Sequence, residues 1–72
     1  MFDAHAVFVR VAPGDVNYVN RIMEGYEYLG VVTTVDKARG VLAVRATADT
    51  AADVRAILAR LPVALAFLER LE

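Results

Sequence analysis

Along this 72-residue chain the spacing of apolar residues changes repeatedly, and each change marks the start of a new element. From His5 to Ala12, HAVFVRVA, apolar and polar positions alternate with a period of two, as in a strand with one covered face. Val7, Val9 and Val11 share one face of that strand, and Phe8 and Arg10 share the other. Pro13-Gly14 interrupts it, because proline brings no amide donor to a ladder and glycine admits turn dihedrals. From Val16 the period becomes helical. Val16, Val19, Ile22, Met23 and Tyr26 fall on one side of a helical wheel, with Tyr18 and Leu29 at its edge. Asn17, Asn20, Arg21, Glu24 and Glu27 fill the other side. Asp15 stands where an N-cap carboxylate accepts from first-turn amides, and Gly30 where a left-handed residue ends a helix.

Val31 to Asp36, VVTTVD, is rich in β-branched residues and too short for a helix. Lys37-Ala38-Arg39-Gly40 reads as a turn and Val41 to Ala46, VLAVRA, as the second strand of a hairpin. In that strand Val41 and Arg45 share one face, Leu42 and Val44 the other. Thr50-x-x-Asp53 resembles a capping box at the start of a helix from Ala51 to Leu61. This helix is expected to bury Val54, Ile57, Leu58 and Leu61, to leave Arg55 and Arg60 in solvent, and to stop at Pro62. Val63 to Leu68, VALAFL, reads as a last strand with Val63, Leu65 and Phe67 inward. Leu65, Leu68 and Leu71 are also helically spaced, so a helix from Ala64 to Leu71 competes with it. The order βαββαβ predicts an α+β protein of ferredoxin-like plan, in which a four-stranded antiparallel sheet carries two helices on one face. Residues 1–72 are expected to form one such domain.

Composition narrows the chemistry. The chain has no cysteine, which excludes disulfides and thiolate metal sites. A formal charge of −1 argues against a nucleic-acid partner, which requires a basic surface. No apolar run approaches the roughly 20 residues that span a bilayer. The start FDAHAVFV also lacks the charged and apolar regions of a signal peptide. A cytoplasmic protein, with no membrane and no nucleic acid among its partners, is therefore expected. His5 is the only histidine, and no serine or cysteine pattern accompanies it as a general-base system would require. Pro13-Gly14 is not a phosphate-cradling loop, and the phosphate loop of acylphosphatases is absent. No catalytic residue, metal ligand or cofactor is expected, and the chain is not read as an enzyme.

Three groups of residues remain as candidates. The turn and helix start, Gly14 to Tyr18, offers free amides and a partial positive charge to an anion. Asp15 would compete for those amides, a conflict an amino acid resolves by placing its ammonium on Asp15 and its carboxylate on the amides. A capped helix worth about 1 kcal/mol explains the same residues with no ligand. Asn17, Asn20 and Glu24 form a stripe at i, i+3 and i+7 that would dock a partner, hold the Tyr28-Leu29-Gly30 turn, or simply be solvated. Gly25, within the same helix, points to close packing, to approach by another chain, or to a fraying last turn. Finally, Phe8, Arg10 and Arg45 share the open face of the sheet. With one aromatic among them they make a poor RNA-stacking platform. Phe8 with Val41, Ala43, Ala64 and Ala66 reads instead as an apolar patch that a homodimer would bury.

The stretch Asp15-Val16-Asn17-Tyr18-Val19-Asn20, followed by Ile22-Met23-Glu24-Gly25-Tyr26-Glu27, Leu29-Gly30-Val31-Val32 and Thr34-Val35-Asp36, resembles a group of short bacterial proteins. That group is a domain-of-unknown-function family (DUF forty-nine-eleven). The likeness runs at motif level from about Val7 to Ala46, and by general pattern to Leu68. It implies a bacterial origin and brings no established activity. More loosely, the strand order and the Pro13-Gly14 turn are similar to ACT domains, which bind amino acids and related effectors as dimers. That resemblance implies a pocket lined by Pro13, Gly14, Asp15 and Asn17. No enzyme is attached here, so a regulated partner is expected to be a separate protein. The leading expectation is thus a homodimeric, ACT-like regulatory module for an amino acid or similar small polar ligand. The alternative is a ligand-free adaptor that docks another protein through Phe8, Arg10 and Arg45 or through Asn20 and Glu24.

Overall fold

A computed structural model, which describes residues 5–69, arranges these segments in the expected order. Strand β1 (Val7–Val11) leads through a 3₁₀ turn, Pro13–Asp15, into helix α1 (Val16–Glu24). Strands β2 (Gly30–Asp36) and β3 (Val41–Ala46) form the hairpin, and helix α2 (Ala51–Ala59) leads to β4 (Leu65–Leu68). All neighbouring strands are antiparallel, in the order β2-β3-β1-β4. Each βαβ unit is therefore split by a strand of the other, the ferredoxin-like plan.

The alternation in β1 decides what the sheet buries. Val7, Val9 and Val11 face the helices, as do Leu42, Val44 and Ala46 of β3. They meet Val16, Val19 and Met23 from α1 and Val54 and Leu58 from α2, and none of these eleven side chains is more than 5% exposed. Each buried valine or leucine contributes about 1.5–3 kcal/mol, so this single layer supplies the main driving force. α1 lies chiefly over β2, and α2 over β1 and β3.

Several local expectations are corrected. Helix α1 stops at Glu24, not Leu29; Gly25 is its C-cap in right-handed conformation, and residues 25–29 form turns. The fraying-end explanation of Gly25 therefore holds. Gly30 is not left-handed either, but opens β2. Its role is clearance, since a Cβ there would lie 2.8 Å from Val44 Cγ1 and 2.9 Å from the Arg45 carbonyl oxygen. The left-handed glycine is Gly40 (φ 74°) in the hairpin turn. The Val11 amide donates to the Gly40 carbonyl at 2.8 Å, and a Cβ on Gly40 would overlap the Val11 carbonyl.

Both helix starts also differ. Asp15 sits at the N-cap position but forms no side-chain cap bond. Its backbone (φ −96°, ψ −3°) is already helical, whereas a capping side chain reaches the amides from an extended N-cap. Thr50 is helical for the same reason, and the Thr50–Asp53 box does not form. Instead the Thr47 carbonyl accepts from Thr50 and Ala51, while the Thr47 amide donates to Thr50 Oγ1 at 3.0 Å. Only half of such a box forms, three residues earlier, from the Thr47 amide to the Thr50 hydroxyl. α2 ends at Ala59, short of Leu61. The last segment is a strand, Leu65–Leu68; the tip of the competing helix, Leu71, lies outside the described residues. Phe67 shares the helix-side face with Val9 but stays 40% exposed, because β4 is an edge strand.

Candidate functional site

An open cleft of about 660 Å³ lies at one end of the sheet. β1 leaves the sheet there, the β2–β3 turn folds across, and β4 begins. Arg10, Pro13, Ala38, Arg39, Ala64 and Ala66 line it. Arg10 and Ala66 are cross-strand partners, so both stand on the open face. The turn is closed by the Arg39 amide, which donates to Asp36 Oδ1 at 3.1 Å, and by the Gly40–Val11 contact. Arg10 and Arg39 thus border a wall of alanines, and no described acidic residue lines the cleft. Guanidinium groups match carboxylate and phosphate in geometry and charge, and the alanines leave room for a small apolar body.

Of the four residues expected to line a pocket, Pro13 borders this cleft. Gly14 is exposed, Asp15 is half-buried and Asn17 is exposed on α1. Arg39, absent from the candidate set, joins the cleft because the hairpin turn packs against the end of β1. A turn of generic composition carries no mark of that packing in the sequence.

The stripe on α1 divides. Asn17 and Glu24 are exposed, but Asn20 is half-buried and its Nδ2 donates to Thr34 Oγ1 at 3.2 Å. Asn20 therefore pins the helix over β2, and its Oδ1 is buried without a hydrogen-bond partner among the described residues. The expected turn at Tyr28-Leu29-Gly30 is not what it holds.

The apolar patch on the open face is also corrected. Ala43 is fully buried and Val41 is 7% exposed, while Phe8 is half-buried between its neighbours Ala43 and Leu68. Small residues at the centre of a sheet are covered by larger cross-strand neighbours, so only Ala64 and Ala66 of the five are exposed. Apolar exposure is concentrated instead around β2, at Tyr28 (74%), Val31 (58%) and Val35 (39%). The β-branched run identified β2 as a strand, but not as the edge of the sheet. Arg45 is exposed opposite Val31, and His5 is exposed in a turn before β1.

Among the described residues no cluster of three or more His, Asp or Glu could hold a metal ion, and no helix is long and apolar enough to cross a membrane. Residues 9–64 match the family model described as a domain of unknown function, DUF4911. The match spans well over half of the chain, which belongs to that family. Comparison with curated proteins and with solved structures gave no match.

Proposed function

We propose that this member of the DUF4911 family is a non-catalytic regulatory module that binds a small anionic molecule in the cleft at the end of its sheet. The observation that carries the reading is the pair Arg10 and Arg39 bordering an alanine-walled hollow with no described carboxylate in its lining. Arg10 is exposed and forms no ion pair among the described residues. A carboxylate or phosphate would neutralise the Arg10 charge here at little desolvation cost to the protein. An amino acid or a related small acid fits the size of the hollow, and its side chain would lie against Ala64, Ala66 and Pro13. This role is ACT-like, but the contacts move from the helix start to the β1–β4 end and the hairpin turn. Signal transfer to a separate protein would run through the turn at residues 37–40, which the ligand would touch at Arg39.

The test is a thermal-shift screen with amino acids, small carboxylic acids and nucleotides, followed by calorimetric titration of any hit. Binding is expected to fall at least tenfold in Arg10→Gln and to stay unchanged in Asp15→Ala. A hit lost in Asp15→Ala but kept in Arg10→Gln would move the site to the helix start. No hit at millimolar ligand would leave the ligand-free adaptor as the better reading.

A further inference from the structure

One edge of the sheet is built to be covered. β2 has seven residues, its only strand neighbour among the described residues is β3, and Gly30 to Val35 includes no charged residue and no proline. Among the described residues no strand pairs with its outer row of backbone groups. Val31 is 58% and Val35 39% exposed. Such edges are ordinarily shortened or charged to prevent pairing with another chain. Here the only interruption is the ladder irregularity between Thr34 and Asp36.

The flank of α1 beside this edge is charged in a self-complementary way. The Asn20–Thr34 hydrogen bond fixes which side of the helix overlies β2. At about 100° per residue, Asn17, Arg21 and Glu24 follow Asn20 round the wheel on that same outward side. Arg21 and Glu24 are exposed and form no ion pair among the described residues. α1 connects two parallel strands and so runs antiparallel to β2. Starting from Asn20 over Thr34, one strand residue (about 3.4 Å) corresponds to just over two helical residues (about 1.5 Å each). A two-fold axis through Thr33 therefore passes α1 between Arg21 and Glu24.

We infer that β2 pairs antiparallel with β2 of a second copy of this chain, about a two-fold axis near Thr33. The two sheets become one eight-stranded sheet. Val31 of each copy meets Val35 of the other, and Arg21 of each α1 faces Glu24 of its mate. A second copy is the occupant because the surface complements itself, with uncharged β-branched residues in the strand and opposite charges paired on the helix. The combined strand and helix contact extends the interface towards the roughly 1,200 Å² at the lower end of stable dimers, which a short strand alone does not reach. This pairing uses neither Arg10 nor the cleft and does not rest on the ligand reading.

Sedimentation velocity on the intact chain tests it. The wild type is expected to sediment as a dimer at micromolar concentration, and Val31→Lys as a folded monomer with an unchanged circular dichroism spectrum. Arg21→Glu and Glu24→Arg should each weaken the dimer at least tenfold, and the double exchange should restore it. A monomeric wild type at 100-fold higher concentration than about 1 µM would overturn the inference, as would a dimer indifferent to Val31→Lys. If Val31→Lys fails to fold, the two charge variants and their exchange decide alone, because both positions are exposed.

Discussion

The two edges of the sheet are finished in different ways. β2 is seven residues long, is pinned from above by Asn20 on Thr34, and presents valines to solvent. β4 has four residues, and the guanidinium of Arg55 stands 5.6 Å above the ring of its exposed aromatic, Phe67. A short strand bordered by a cation offers little to a second chain, whereas a longer one with six uncharged residues, Gly30 to Val35, offers a ladder. The contrast separates two uses of one small sheet. Its β2 side is suited to assembly, while the β1–β4 end opens the cleft that Arg10 and Arg39 border.

That contrast depends on the hairpin turn holding β2 and the cleft in register, so the largest effect is expected at Gly40. Gly40→Ala meets both a left-handed backbone and the Val11 carbonyl, and should cost about 3 kcal/mol or more in urea denaturation. A cost below about 1 kcal/mol would mean that the turn relaxes away from β1, and the two regions would then be independent. Asn20→Ala comes next. Loss of the tie to Thr34 should cost about 1 kcal/mol and speed hydrogen exchange in β2 more than in β4. Uniform exchange across both edges would remove Asn20 as the device that holds β2. The smallest effect is expected at the other edge. Arg55→Ala should cost about 0.5–1 kcal/mol, the range of exposed cation–π contacts. Were Arg55→Ala to cost more than Asn20→Ala, the contrast between the edges would be reversed.

Much of the fold was legible in the chain. The valine alternation of β1 named three core residues, the α1 wheel named Val16, Val19 and Met23, and Val54 and Leu58 were expected from α2. Such positions are readable because burial imposes a period on the residues themselves. Boundaries and caps were less so. Asp15 and Thr50 have capping side chains, but whether they cap depends on their own backbone angles, which the preceding turns set. Gly30 and Gly40 look equivalent in the sequence, yet one gives clearance to Val44 and the other permits a positive φ. The candidate site was the least legible part. Pro13 was expected within it, but Arg39 enters only through the approach of the hairpin turn to β1, and Asn20 turned out to bind the sheet.

By itself the sequence determined the order of elements, the core face of each, and membership of a family, because these rest on local periodicity and residue type. Which strand became the bare edge, which alanines were covered, and which two arginines share a cleft were decided only by tertiary structure. Each of those depends on cross-strand neighbours more than 25 residues apart, such as Arg10 and Ala66 or Phe8 and Ala43, whose pairing no local pattern encodes.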